Sequence, residues 1–117
     1  MTTLARLRAW LADDANFAES KRPFTLSVTH NRFGFSGVRK PFITTNGISI
    51  SIQQSATHYC NDENEIEMWH CPHSPLLMQF GDGGDPYAYV PLEVCAGYID
   101  SLESLGDNHE YRTEKSE

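Results

Sequence analysis

Residues 51–73 hold most of the side chains in this chain that could carry chemistry. Three histidines, two cysteines and four carboxylates lie within these 23 positions. His58 and Cys60 are two residues apart, and so are Cys71 and His73, so each pair would lie on one side of an extended strand. If two such strands were neighbours, the four side chains could converge on a tetrahedral zinc ion. A zinc site at His58, Cys60, Cys71 and His73 is therefore one hypothesis.

The spacing of these residues favours a different interpretation. Zinc motifs usually repeat one ligand type at a short, fixed spacing, and neither pair does so. The 10 residues between Cys60 and Cys71 are acidic, unlike the small knuckle of a zinc ribbon. The favoured interpretation is that the cysteines are small buried apolar residues and that the histidines lie at the surface or in hydrogen bonds. No cofactor is predicted.

Catalytic patterns are weaker still. A cysteine nucleophile would need an activating histidine and a local signature, and no such signature is present. Glu65 and Glu67 could form an acid–base pair, but strand alternation predicts that both face solvent, where nothing tunes a carboxyl group. The segment GDGGD at 81–85 lacks a following lysine, and its aspartates would repel phosphate. The prediction is that the protein is not an enzyme.

Length and composition limit the class of protein. A chain of 117 residues, 39% of them hydrophobic, fits one domain with a core that needs no disulfides. Three cysteines are an odd number, which suits reduced thiols in a cytosol. The N-terminus lacks a signal-peptide core, and no apolar run is long enough to span a membrane. We therefore predict a cytoplasmic protein that makes no membrane contact.

The charge is unevenly distributed along the chain. The net charge is −7, and residues 41–111 hold eleven acids and neither lysine nor arginine. Residues 21–46 hold five lysines or arginines and no acid. An extended negative surface repels nucleic acid and attracts basic protein surfaces. The predicted partner is therefore a protein with a basic surface, without direct nucleic-acid binding.

Hydrophobic periodicity predicts a helix at each end of the chain and strands between them. Leu4, Leu7 and Leu11 form one helical stripe. A second helix follows Pro91, placed at the first helical position, and ends before Gly106. Its buried face is predicted to hold Leu92, Cys95, Ile99 and Leu102.

Alternation between apolar and polar residues predicts the strands. Phe24–His30 reads as a strand followed by a turn near 30–34. In residues 47–53 the isoleucines face inward, and in residues 65–68 Ile66 and Met68 do the same. Leu76–Phe80 reads as a short final strand or a covering loop. The predicted fold is α+β: an antiparallel β-meander of three to four strands covered by N- and C-terminal helices, with residues 1–106 as one domain and 107–117 as a flexible polar tail.

Aromatic residues interrupt the acidic region. Trp69 follows the glutamates on the predicted outward side, and Tyr59, Tyr87 and Tyr89 are near in sequence. Aromatic anchors amid complementary charge are typical of protein–protein hot spots. The predicted partner-binding residues are Asp62, Glu63, Glu65, Glu67, Trp69, Asp82, Asp85 and Tyr87.

Three segments of the chain, GISISIQQSATHYC, EIEMW and GDPYAYVPLEV, resemble a group of small uncharacterised phage and prophage proteins. Their pattern is a strand S-[IV]-Q-x-S-x-x-H-Y-C, an acidic-apolar strand, and Y-x-Y-V-P-x-E opening a helix. The resemblance covers about residues 47–103. This chain departs from the pattern at Asn61 and Asp62, where relatives have Pro or Arg, and at residues 70–73, which have no counterpart.

The resemblance implies an origin in a phage or other mobile element, and hence the cytoplasm of a bacterial host cell as the location. Small acidic phage proteins often inhibit host defence, as anti-CRISPR proteins do, by imitating nucleic acid electrostatically. By this analogy the chain would be an inhibitor that binds a CRISPR effector complex, or another host protein with a basic surface, as a monomer or homodimer. Two alternatives stay open: a small zinc-binding or redox accessory protein using the Cys/His cluster, and a phage structural or regulatory module whose terminal helices dimerise.

Overall fold

The computed structural model describes residues 1–18, 22–23, 35–81 and 86–105, residues 22–23 through their backbone pairing. Helix α1 spans Thr3–Ala12 and helix α2 spans Leu92–Glu103. The strands are β1 (Arg22–Pro23), β2 (Phe35–Ser36), β3 (Phe42–Ile43), β4 (Ser49–Gln53), β5 (Glu65–Trp69) and β6 (Tyr87–Pro91).

Four of the strands form an antiparallel sheet in the order β3-β4-β5-β6, so each strand pairs with its neighbour in sequence. Ser51 lies opposite Trp69, and Gln53 lies opposite Glu67. Strands β1 and β2 form a separate two-stranded pairing. Together with the two helices, this arrangement confirms the predicted α+β meander.

The inner face of the sheet is the face that the isoleucine alternation predicts. Ile50, Ile52, Ile66 and Met68 are fully buried, and Val90 of β6 joins them. Burial of side chains of this size contributes about 1.5–3 kcal/mol each. The alternation in β4 and β5 therefore sets which face of the sheet receives the helices.

Helix α1 covers the core with the predicted leucine stripe. Leu7 and Leu11 are buried, and Leu4 packs against the core at its edge. The Thr2 hydroxyl accepts a hydrogen bond from the Ala5 amide at 3.0 Å, which supplies the N-cap. The helix ends at Asp13, whose carboxylate begins a short 3₁₀ turn at Asp14–Asn16.

Helix α2 lies beside α1 and runs in the opposite direction. Its predicted face, Leu92, Cys95, Ile99 and Leu102, is buried. Thr3 at the start of α1 bonds to Asp100 near the end of α2. Glu103 accepts hydrogen bonds from the Arg6 guanidinium and from the Thr45 amide, so one carboxylate ties both helices to the start of the meander. Pro91 is the N-cap residue, one position earlier than predicted, because it still pairs in β6.

One local prediction is wrong, and one strand lies where none was predicted. Pro75–Phe80 is neither a strand nor a loop but a 3₁₀ helix: the Ser74 hydroxyl accepts from the Leu76 amide and Pro75 follows at the first helical position. The strand at Tyr87–Pro91 was not predicted. Helix α2 ends at Glu103, before Gly106 as predicted. The predicted strand at 24–30, its turn at 30–34 and the tail at 107–117 lie outside the described residues.

Candidate binding site

The β4–β5 loop, residues 54–64, folds back onto the outer face of the sheet. Its Ala56 amide bonds to the Phe35 carbonyl, and its Tyr59 carbonyl accepts from the Tyr89 amide at 2.9 Å. Its last residues are held from the helix side, because the Leu92 amide donates to the Asn64 carbonyl at 2.9 Å. The loop is therefore attached to β2, to β6 and to the start of α2.

Arg39 anchors the beginning of this loop. Its Nη1 donates to the Gln54 carbonyl at 2.7 Å, and its Nη2 donates to the Leu11 carbonyl at 3.1 Å. The guanidinium lies over the Phe17 ring, 4.4 Å from the centroid. Desolvation by burial lowers the pKa of Arg39, although the charge of Asp14 opposes the shift. One buried cation thus joins the loop to the end of α1.

The prediction that Glu67 faces water is wrong. Glu67 lies on the outer face, but the β4–β5 loop covers it, and only 6% of its surface is exposed. Its Oε1 accepts a hydrogen bond from the Tyr59 amide at 3.3 Å. Desolvation raises the pKa of Glu67, and the bond from Tyr59 only partly counteracts that effect. A carboxylate thus lies beneath the loop rather than on an open acidic face.

An irregularity in β6 displays a tyrosine beside this carboxylate. Ile66 pairs with Val90 and Met68 with Tyr87, so Ala88 and Tyr89 together face the single residue Glu67. Tyr89 takes a φ of 56°, a left-handed conformation that is uncommon for a residue with a side chain. The irregularity turns the Tyr89 side chain outward.

The result is an exposed aromatic pair, Tyr59 and Tyr89. Their ring centroids are 6.1 Å apart with a tilt of 48°. Tyr59 is 53% exposed and Tyr89 is 45% exposed, although the Tyr89 amide bonds to the Tyr59 carbonyl and the Tyr59 amide bonds to Glu67. The predicted residue Tyr87 is instead 2% exposed and lies in the core, because the irregularity places it on the inner face.

The carboxylates of the acidic turn have different roles. Asp62 accepts a hydrogen bond from the Asn64 amide at 2.8 Å, and Glu65 accepts one from the Asn61 amide at 2.9 Å. Both shape the turn from within and are half-buried. Glu63 is exposed. Asp82 and Asp85 lie outside the described residues.

Trp69 is 40% exposed at the end of β5, as predicted for an outward side chain. Its ring stacks on His70, with centroids 5.1 Å apart and an interplanar angle of 9°. His70 has a φ of 50°, so the chain turns sharply directly after the strand. Trp69 lies opposite Ser51, whereas Glu67 lies opposite Gln53, so the tryptophan is two residues along the same face from the carboxylate.

The four residues of the zinc hypothesis are not grouped as metal ligands in the described part of the chain. Among the described residues, which include all four proposed ligands, no three His, Cys, Asp or Glu side chains are placed to hold a metal ion. His58 Nδ1 instead contacts the Ser55 hydroxyl at 2.6 Å, and desolvation lowers the pKa of His58, with Arg39 adding to the effect. Burial raises the pKa of the Cys60 thiol to about 11. The structure buries Cys60 and places His58 in a hydrogen bond, as that interpretation predicts, but Cys71 is only half-buried.

The Ser55–His58 contact has the residue types of a nucleophile and a base. Ser55 is fully buried, and its hydroxyl also contacts Thr57 and accepts from the Thr57 amide. A nucleophile must reach its substrate, and this hydroxyl is enclosed by its own loop. The contact serves to fold the β4–β5 loop.

A groove lies between the β4–β5 loop and the helices. This groove has a volume of about 260 Å³ and is lined by Arg8, Leu11, Ala12, Gln54, Glu63 and Leu92. Arg8 reaches toward Asn64 at 3.5 Å across one end. The groove adjoins the acidic turn but does not include the aromatic pair.

Comparison with protein-family models, with curated proteins and with solved structures gave no match to this chain. No helix within the described ranges has the length and apolar character that crossing a membrane requires. The site therefore has to be interpreted from its own geometry.

The sequence signals for this site were incomplete. Tyr59 and Tyr89 were noted as aromatic neighbours, but they were not predicted as binding residues. Alternation alone places Tyr87 and Tyr89 on one face, and only the irregularity opposite Glu67 separates them. The Tyr-x-Tyr spacing shows that two large side chains occur there, but it does not reveal which one is exposed.

Proposed function

We propose that the protein is a non-catalytic inhibitor whose β4–β5 loop binds a partner protein with a basic surface. The observation that carries the proposal is the aromatic pair: two half-exposed tyrosines held in place by backbone hydrogen bonds. Exposed tyrosines that are ordered before binding give contact area at low entropic cost, which is typical of hot spots.

The charge around the pair supports a basic partner. The pair lies within residues 41–111, which hold eleven acids and no lysine or arginine. Glu63 on the acidic turn and Glu93 at the start of α2 are exposed. The hydrogen bond between Asn64 and Leu92 joins the turn to that helix. Such a field accelerates association with a basic surface and disfavours acidic partners.

The finer proposal is that the protein is encoded by a phage or other mobile element and acts as anti-CRISPR proteins do. It would occupy the Lys/Arg-lined nucleic-acid channel of a host defence complex. The support is the small size, the negative charge and the resemblance to phage and prophage proteins.

Neither alternative gains support from a specific observation. The four residues of the zinc hypothesis do not converge. The apolar faces of α1 and α2 pack into the core of the same chain, so they do not offer a free surface for dimerisation.

The test is capture of a partner from a bacterial lysate, followed by a competition assay on that partner. The expected partner binds DNA or RNA, and its nucleic-acid affinity falls at least tenfold when the protein is added at saturation. Binding should weaken as salt concentration rises, because exposed charges are screened. A captured partner that keeps its nucleic acid, or a complex that is unchanged in high salt, would contradict the proposal.

A pair of charge-reversal variants locates the surface. Glu63→Lys should weaken the complex because Glu63 is exposed on the acidic turn and has no described role in folding it. Asp100→Lys changes the net charge equally at the far end of α2. It also removes the bond from Thr3, so its folding is verified by urea unfolding, and its complex should weaken less than that of Glu63→Lys. Equal losses from both variants would mean that overall charge, and not this surface, determines binding.

A further inference from the structure

Glu67 is a buried carboxylate that forms no ion pair within the described part of the chain. Among the described residues the one ion pair is Arg6 with Glu103, and none involves Glu67. Its Oε1 is held by the Tyr59 amide. Its Oε2 receives no hydrogen bond from the described residues, and it is not among the fully enclosed side-chain atoms that lack a partner. One oxygen is thus fixed, and the other keeps a small accessible area on a side chain that is 6% exposed.

Glu67 and the aromatic pair lie next to each other on the outer face of the sheet. Tyr59 contacts Glu67 through its amide, and Tyr89 sits directly across the strand pair from Glu67. The Tyr59 carbonyl accepts a hydrogen bond from the Tyr89 amide, so hydrogen bonds link Tyr89 to Tyr59 and Tyr59 to Glu67. Tyrosine ring faces carry negative electrostatic potential and therefore attract cations.

We propose that Tyr59, Tyr89 and Glu67 form a binding site for one arginine side chain of the partner protein. The proposal rests on the proposed function and names the group that this surface recognises. The guanidinium stacks on the exposed tyrosine rings and donates a hydrogen bond to Glu67 Oε2. Burying a carboxylate without a cation is costly, and the incoming arginine relieves that cost.

Arginine suits the site better than lysine. Its planar guanidinium stacks on aromatic rings and is weakly hydrated, so it loses little on entering a half-buried position. A lysine ammonium is compact and strongly hydrated, and its point charge does not match two tilted ring faces.

The arginines that the structure describes with side chains have other contacts. Arg6 binds Glu103, Arg8 lies near Asn64, and Arg39 is buried at the base of the loop. No lysine or arginine occurs in residues 41–111. None of these described arginines supplies the cation, and the proposal assigns it to the partner protein.

The test needs no partner protein. The full chain is labelled with ¹⁵N and titrated with N-acetyl-arginine amide, N-acetyl-lysine amide and N-acetyl-citrulline amide, while amide chemical shifts are followed by NMR. Citrulline has the shape of arginine without its charge. The expected result is saturable shifts at Tyr59, Tyr89 and Glu67 with arginine, weaker binding with lysine, and none with citrulline. Equal shifts with citrulline, or no shifts with arginine, would overturn the proposal.

Variants separate the two parts of the site. Glu67→Gln keeps an acceptor for the Tyr59 amide but removes the charge, so arginine affinity should fall about tenfold. Tyr59→Phe keeps the ring and should bind arginine nearly as well as the unmodified protein, whereas Tyr59→Leu should bind poorly. Asparagine tolerates the left-handed backbone conformation found at Tyr89, so Tyr89→Asn should keep the fold and bind arginine poorly. Unchanged affinity in Glu67→Gln would contradict the role of the carboxylate.

A second readout follows Glu67 directly. A bound guanidinium favours the ionised carboxylate, so the side-chain ¹³C titration of Glu67 should move to lower pH when arginine amide is present. Failure of arginine binding in these assays rejects the arginine site but leaves the inhibitor proposal to the competition assay. Arginine binding together with a partner that does not bind nucleic acid rejects the proposed function alone.

Discussion

Arg39 holds the β4–β5 loop that carries Tyr59. The contacts of Arg39 determine how much its replacement by alanine should lower the free energy of unfolding. Two hydrogen bonds from a charged donor contribute about 1.5–3 kcal/mol each. The contact with the Phe17 ring adds about 1–2 kcal/mol. Burying the guanidinium opposes these terms: its Nε has no hydrogen-bond partner, which costs about 1–3 kcal/mol. The balance predicts that Arg39→Ala lowers the free energy of unfolding by about 3–5 kcal/mol.

Equilibrium unfolding in urea measures this loss. Lys40→Ala is the matched control, because Lys40 is the neighbouring cation and is exposed; it should change the free energy by less than about 0.5 kcal/mol. Arg39→Lys keeps the charge, but one ammonium cannot reach both the Gln54 and Leu11 carbonyls as the guanidinium fork does. It should recover about half of the loss.

Hydrogen exchange adds a local measurement. Amides of the β4–β5 loop should exchange faster in Arg39→Lys, while Ile66 at the centre of the sheet should change only with global stability. A loss below about 1 kcal/mol for Arg39→Ala would refute the reasoning, because desolvation would then cancel the hydrogen bonds. Equal losses from Arg39→Ala and Lys40→Ala would refute it as well.

Three further changes test the fold and its charges. Ile52→Ala removes a fully buried side chain and should cost about 2–5 kcal/mol in urea unfolding, whereas Ile43→Ala at a position 57% exposed should cost far less; similar values would contradict the assignment of the inner face. Glu67→Gln should raise stability at neutral pH: because the folded-state pKa is raised, the contribution of Glu67 is complete below its unfolded pKa and is lost as pH rises through the folded pKa. The contribution of Glu103 to stability has the opposite pH dependence. Burial raises the pKa of Glu103, but its hydrogen bonds lower that pKa on balance. The unmodified protein should therefore lose stability below about pH 4.5 more steeply than Glu103→Gln. Parallel pH profiles of the two proteins would contradict the role given to Glu103.

Periodicity predicted the parts of the fold that depend on one chain segment at a time. The alternation in β4 identified Ile50 and Ile52 as inner residues, and the leucine stripe identified the buried face of α1. Each of these patterns repeats with the geometry of its own element, so no distant residue is needed to interpret it.

The candidate site depends on contacts between segments, which periodicity does not contain. Alternation correctly placed Glu67 on the outer face, but it could not show that the β4–β5 loop covers that face. No strand was predicted at residues 87–91, and there one additional residue in β6 places Tyr87 inward and Tyr89 outward. Asp62 and Glu65 read as solvated charge because their amide partners within the turn leave no sequence signature.

The pairing of α1 with α2 has a consequence for the order of folding. Thr3 and Asp100 are 97 residues apart in the chain, whereas Ser51 and Trp69 are 18 apart. Closing the longer loop costs about 1.5 kcal/mol more in chain entropy. We expect the meander to form the folding nucleus and α1 to dock after the rate-limiting step. Truncation of Leu7 should then leave the refolding rate nearly unchanged and accelerate unfolding, so the surface with Tyr59 and Tyr89 would be assembled before the helix that completes the core.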